Sequence, residues 1–258
     1  MYHIVCYLDP LAPQQWSDEQ VAERWLQAYP GRLNRPEFAQ QRELKKQAIM
    51  VDKEKLIKYR KRLGSLSWFM GRLNEPLAKQ SNNEDFCTGR FWEGRYSSQA
   101  LLDEAAVFSA MTYVDLNPVR AKITQKLEES NNTSIMRRIE NQQSNENRAN
   151  IDKPITPVAG LANTTQLTMP LRDYIQLVEW TGQAIVHPAK ASIPAHITPI
   201  LKRLNLQQNH WLKQIENYNQ NYCHVVGSIK KIREKAAQLK LRCLHGIAAA
   251  RNIYLEPG

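Results

Sequence analysis

The stretch AMTYVDLNPVRAKI, residues 110–123, decides how the rest of the chain is read. Just before and within it, Leu102, Ala105, Ala106, Ser109, Ala110 and Tyr113 recur at three- and four-residue steps. This spacing predicts one tightly packed helix face, with Asp103 placed to cap its start. Pro118 disfavours helical geometry in the residue before it, so the helix is expected to end at Asn117. Tyr113 and Asn117 stand at i and i+4 and therefore share a face. A tyrosine that attacks phosphorus needs a cation to polarise the phosphate, and an amide oxygen one turn away is a hard ligand for such an ion. Taken singly, a tyrosine near a helix end packs and an asparagine before proline caps, and both uses stay open on these residues alone.

Upstream, MYHIVCYL at residues 1–8 is a β-branched and aromatic run ending at Asp9-Pro10, which predicts a buried strand. Ser17 and Gln20 form a capping-box pair ahead of a helix expected from Ser17 to Tyr29. Pro36 opens a second helical stretch to Leu63, rich in Lys and Arg: Arg42, Lys45, Lys46, Lys53, Lys55, Lys58, Arg60, Lys61 and Arg62. Such a run is either a solvated helix face or a surface along a phosphate backbone. Leu66, Phe69, Met70, Leu73 and Leu77 mark an amphipathic helix over 65–80, with Pro76 as a point of kinking. After the polar SNNEDFCTG, residues 81–89, the segment RFWEGRYSS reads as a strand over 90–97. Arg90 and Arg95 lie there among Phe91, Trp92 and Tyr96, a mixture suited to holding phosphates beside unpaired bases.

Downstream, residues 128–170 turn to Asn, Gln, Ser, Thr and Pro without apolar periodicity, which predicts a polar linker. Helical spacing returns over 171–258, an expected all-helical C-terminal domain that includes the basic IKKIREKAAQLKLRCLHG. Lys and Arg outnumber Asp and Glu by 35 to 25, a formal charge of +10, which favours a polyanionic partner over an acidic small molecule. The four cysteines lack CxxC spacing, so neither a zinc site nor a disulfide framework is indicated. No run approaches the roughly 20 apolar residues of a membrane span, and the start lacks the pattern of a secretory signal. A soluble cytoplasmic protein, nucleoid-associated if it binds DNA, is expected.

These motifs resemble the REP-associated tyrosine transposases, a group of the single-tyrosine HUH transposases. The resemblance rests on AMTYVDLNPVRAKI preceded by TGRFWEGRYSSQALLDEAA at 88–106, on RKRLGSLSWFMGRLNEPLAKQ at 60–80, and on YHIV at 2–5 followed by WSDEQVAERWL at 16–26. It covers roughly residues 1–140, and the helical tail resembles longer members of the group less specifically. The resemblance implies a metal-dependent DNA nickase and strand transferase acting on single-stranded hairpin DNA, with DNA transposition and recombination as its context. Tyr113 would be the nucleophile, forming a 5′-phosphotyrosine intermediate. Asn117 and His3 would be ligands of Mg2+ or Mn2+, and Arg90, Arg95 and Arg120 phosphate contacts. A homodimer is the implied assembly.

The implied fold is α+β, a ferredoxin-like βαββαβ catalytic domain over 1–127 with a helical insertion, in which the His-bearing strand comes third. Met1 stands where the first His of the His-hydrophobic-His motif would be, and the first strand, first helix and second strand have no counterpart here. A start placed too late, or a decayed gene remnant, is favoured over a genuine short form. The chain as written is expected to be poorly stable in its N-terminal half and inactive or severely impaired. The rival from a different class is a non-catalytic nucleic-acid-binding remnant that uses the basic helices and tail. A tail that serves only protein interaction is disfavoured by its Lys and Arg content.

Overall fold

The computed structural model describes residues 2–29, 31–143, 152, 155, 167, 169–190 and 192–255. It divides into two compact units: a helical insert, Tyr7–Ser97, and a main unit made of Met1–Cys6 with Ser98–Gly258. The boundaries lie elsewhere than the expected divisions at 127/128 and 170/171. The physical reason is that segments far apart in sequence share one core, as described below.

In the insert, a short helix α1 (Ala12–Gln15) leads to α2 (Asp18–Ala28). The capping box at its start is formed as read: the Ser17 hydroxyl accepts from the Gln20 amide at 3.1 Å, and the Gln20 side chain accepts from the Ser17 amide at 3.0 Å. The single helix expected from Pro36 to Leu63 is instead two, α3 (Ala39–Val51) and α4 (Lys53–Leu63). They part at Asp52, whose ψ of 91° leaves helical space and whose carboxylate caps α4 by accepting from the Lys55 amide at 3.0 Å. Val21, Ala22, Leu26, Ile49 and Leu56 form a small core, beside which the rings of Trp25 and Tyr59 stack 3.7 Å apart.

Much of the basic run on α3 and α4 is paired with acids, while Lys45, Lys58 and Lys61 are exposed and make no ion pair among the described residues. Arg42 pairs with Glu23, Lys46 with Glu19 and Glu43, Lys53 and Arg60 with Asp18, and Lys55 with Asp52. The hydrogen bond with Arg42 holds the Glu23 carboxyl below its ordinary range, and that with Lys53 does the same for Asp18. Helix α5 (Leu66–Glu84) follows its Ser65 cap and carries Pro76 within it; none of its residues is buried. The strand expected over 90–97 is absent. The segment bends at Trp92, Glu93 and Gly94, and the Trp92 indole donates to the Asn74 carbonyl at 3.0 Å instead of joining a ladder.

In the main unit residues 2–6 lie in no strand and pair with none among the described residues, so the expected N-terminal strand is not formed. An apolar, β-branched run favours extended backbone; a ladder also needs a partner. The sheet that is present has two strands. β1 (Ala100–Leu101) runs parallel to a strand from the far end of the chain, Ala100 opposite Val225 and Leu101 opposite Val226. After β1 come α6 (Glu104–Asp115), α7 (Asn117–Arg120), α8 (Ser134–Gln143), α9 (Leu171–Val186), α10 (Ile197–Arg203), α11 (Gln208–Glu216) and α12 (Tyr218–Asn221). Then β2 (Val225–Val226), α13 (Ile229–Gln238) and α14 (Ile247–Ile253) close the unit. The chain is thus mostly helical with a small parallel sheet, α+β only in a loose sense.

Two carboxylates tie the unit together. Asp103 caps α6 through the Ala106 amide at 2.9 Å and accepts from the Ser228 amide at 2.7 Å and the Tyr254 hydroxyl at 2.8 Å. Asp115, wholly buried, accepts from the Ser134 hydroxyl at 2.6 Å, the Ile135 amide at 3.1 Å and the Tyr174 hydroxyl, with Arg138 at 3.6 Å. It therefore locks α6 to α8 and α9. Around these anchors, Phe108, Leu116, Ile135, Leu177, Leu201 and Trp211 fill one continuous core. The region expected as a polar linker contributes to it: α8 places Ile135 in that core, and Ile155, Leu167 and Met169 are buried there too. Isolated apolar residues in a polar stretch carry no periodicity, yet each removes its surface from water. The remainder of that stretch lies outside the described residues.

Candidate functional site around Tyr113

Tyr113 comes from the last turn and a half of α6 and is 6% exposed. The helix does not run on to Asn117. It ends at Asp115, Leu116 takes φ −89° and ψ 3°, and Asn117 opens the separate helix α7. Pro118, lacking an amide hydrogen, fits the first turn of a new helix and not the interior of an old one. Tyr113 and Asn117 thus leave the continuous i, i+4 geometry that their spacing predicts, and Asn117 is half-buried at the head of α7.

Three side chains meet at the Tyr113 ring, and a fourth packs behind them. The imidazole of His3 comes edge-on to the Tyr113 ring, centroids 5.9 Å apart. Burial, with the positive charge of Arg120 acting in the same direction, holds this imidazole below the ordinary histidine value of 6.5, so it is neutral at pH 7. The Arg120 guanidinium lies over the Tyr113 ring at 4.1 Å and donates to the Glu216 carbonyl at 3.0 Å. Tyr218 stacks on Tyr113, centroids 4.7 Å apart and planes 26° apart. Behind it, Tyr222 packs at 5.5 Å from Tyr218, its hydroxyl accepting from the Gln214 amide at 2.6 Å and its carbonyl from Gln99 at 3.0 Å.

The Tyr218 hydroxyl is buried and has no hydrogen-bond partner among the described residues. Burial pushes its pKa far above the ordinary phenol range, with Tyr222 and Tyr113 adding to the shift. It is therefore a neutral donor at every ordinary pH. Gly246 supports this cluster from α14. Its φ of 114° lies in left-handed space, and a Cβ there would meet the Tyr222 ring at 3.0 Å, so no larger residue fits without displacing the tyrosine.

Of the residues read from the sequence, the structure brings His3, Tyr113 and Arg120 together. Arg90 and Arg95 belong to the helical insert, where both are exposed and neither has an ion pair among the described residues. Tyr218, Tyr222 and Glu216 were not legible as site residues. The only signal for them was the i, i+4 aromatic pair in NYNQNY, which reads equally as ordinary packing.

Among the described residues, no three His, Cys, Asp or Glu side chains gather where they could hold a metal ion. His3, neutral and beside Tyr113, has the chemistry of an imidazole ligand, and Asn117 that of an oxygen ligand. Two donors do not by themselves make a metal centre. No helix of the described residues is long and apolar enough to cross a membrane. Comparisons with protein-family models, with curated proteins and with solved structures return no match to this chain.

Proposed function

We propose that this chain acts on single-stranded hairpin DNA as a tyrosine nickase and strand transferase of the HUH transposase type. The Tyr113 oxygen attacks a backbone phosphorus, the P–O3′ bond breaks, and a 5′-phosphotyrosyl link forms as the phenolic proton passes to the departing 3′-oxygen. Attack by a 3′-hydroxyl then reverses the step on another strand. One observation carries the reading: the imidazole of His3 packs on the ring of Tyr113, although 109 residues lie between them in sequence. That is the pairing the resemblance requires. Arg120, already over the tyrosine, is placed to meet phosphate charge.

Bound Mg2+ or Mn2+ would polarise the scissile phosphate, with His3 and Asn117 as its protein ligands. A ferredoxin-like catalytic sheet, phosphate contacts from Arg90 and Arg95, a homodimer, and a cytoplasmic, nucleoid-associated setting belong to the same proposal. The test is incubation of the full chain with labelled hairpin DNA and Mg2+ or Mn2+, followed by denaturing electrophoresis. A covalent adduct lost in Tyr113→Phe is expected; absence of any adduct, or one that persists in that variant, overturns the catalytic reading.

The second reading is a non-catalytic nucleic-acid-binding protein. The near-complete burial of Tyr113 beneath Tyr218 and Arg120 favours it. Salt-sensitive DNA binding without adduct formation is its expected signature.

A further inference from the structure

The chain has two strongly basic stretches, and the structure treats them oppositely. On α3 and α4, five of the nine cations named from the sequence are held by carboxylates and a sixth, Arg62, lies over Trp68 at 4.1 Å. Over residues 229–245, six Lys and Arg stand against one acid, Glu234. That acid pairs with Lys231. Lys230, Arg233, Lys240 and Arg242 are all exposed and make no ion pair among the described residues. Buried Ile232 and Ala236 hold the opposite face of α13, which directs Lys230 and Arg233 outward together at i, i+3 spacing.

The turn that follows continues this surface. Lys240 sits at φ 55°, left-handed space where glycine is ordinarily found after a helix, while the Lys240 and Leu241 amides bond back to Ala237 and Ala236. A lysine there trades backbone strain for a charge at the corner. Leu239 and Leu241, each 50% exposed, alternate with Lys240 and Arg242. The same turn ends at Gly246, which seats against Tyr222 and so against the stack on Tyr113.

We infer that the corner formed by Lys230, Arg233, Lys240 and Arg242 is a docking surface for a nucleic-acid backbone, leading its strand toward the Tyr113 cluster. This rests on the proposed function only for the class of ligand, a nucleic acid. Uncompensated, exposed cations beside the exposed Leu239 and Leu241 fit phosphates alternating with sugars. An anionic membrane fits less well, because the apolar face of α13 is spent in the core and only two leucines protrude.

The probe is a fluorescent DNA hairpin with a single-stranded tail, titrated with the full chain at several salt concentrations. Lys230→Gln, Arg233→Gln and Arg242→Gln combined are expected to weaken binding at 0.1 M salt by about 10- to 100-fold and to lower the log-log salt slope by about 3. The matched control, Lys45→Gln, Lys58→Gln and Lys61→Gln, removes equal charge from the insert and is expected to change affinity by less than about threefold. Lys240→Gly separates binding from folding: it relieves the left-handed strain, so the unfolding midpoint rises while DNA binding weakens. Equal losses in both triple variants, or none in the first, overturn the inference while leaving the Tyr113 adduct assay untouched. Patch-dependent binding to phosphatidylserine vesicles without hairpin binding overturns it as well. Patch-dependent hairpin binding with no adduct upholds it and removes the strand-transferase reading instead.

Discussion

The two units of this chain are held together by different physics. In the main unit, Phe108, Tyr174, Leu177, Leu201 and Trp211 are buried without remainder, and two carboxylates, Asp103 and Asp115, are saturated with hydrogen bonds from distant segments. Among the described residues of the insert the core holds Val21, Ala22, Leu26, Ile49 and Leu56, with Pro13 buried besides, the 19-residue α5 buries none, and α2, α3 and α4 are joined by ion pairs at partly exposed sites. Exposed ion pairs stabilise by at most about 1 kcal/mol each, whereas each buried large apolar side chain contributes about 1.5 to 3 kcal/mol. The insert is therefore the weaker partner, and its stability should follow solvent conditions that leave the main unit unmoved.

The largest effect that sharpens this contrast comes from Asp115→Ala. It strands the buried Tyr174 hydroxyl and takes the carboxylate from half-buried Arg138 and from the hydroxyl of exposed Ser134, and is expected to destabilise the main unit by about 3 to 5 kcal/mol in chemical denaturation. Hydrogen exchange of α2 to α4 should stay as it was; equal loss of protection in both units would break the distinction.

Acid gives the next effect. Glu23 and Asp18 are held below their ordinary values of 4.5 and 3.8, so the stabilisation they supply is present at neutral pH. It is lost as pH falls below those values and then through the depressed folded values. Amide protection in α2, α3 and α4 is expected to decline in that window before that in α6 and α9, as read by exchange mass spectrometry at stepped pH. The smallest effect is that of salt. Raising sodium chloride from 0.1 to 1 M screens the surface pairs and should cost the insert about 1 kcal/mol or less per pair. A main unit that responds equally would show that its exposed pairs, Arg203 with Asp173 for one, matter as much.

Local signals in the sequence translated well into structure. The Ser17 and Gln20 box, the Asp103 cap and the start of α5 at Ser65 all depend on residues within three or four positions, and all are present. What failed was non-local. The aromatic, β-branched runs at 2–8 and 90–97 form no strand among the described residues, since a ladder is decided by what lies beside the segment and not by the segment itself. The basic character of α3 and α4 was plain, but their neutralisation by Asp18, Glu19 and Glu23 required knowing which helix packs alongside. At the candidate site, His3 and Tyr113 came as a pair only through a family likeness. Tyr218, the ring that touches Tyr113 most closely, carried no signal beyond its spacing from Tyr222.

The parallel pairing of Ala100 and Leu101 with Val225 and Val226 has a temporal consequence. During synthesis the chain emerges in order, and contacts of such wide sequence separation wait until the later segment is free of the ribosome. The wall that Tyr218 and Glu216 build around Tyr113 can close only after almost all of the polypeptide has been made. A nascent fragment bearing the tyrosine helix alone therefore carries Tyr113 uncovered, and its complete surrounding arises near the end of translation.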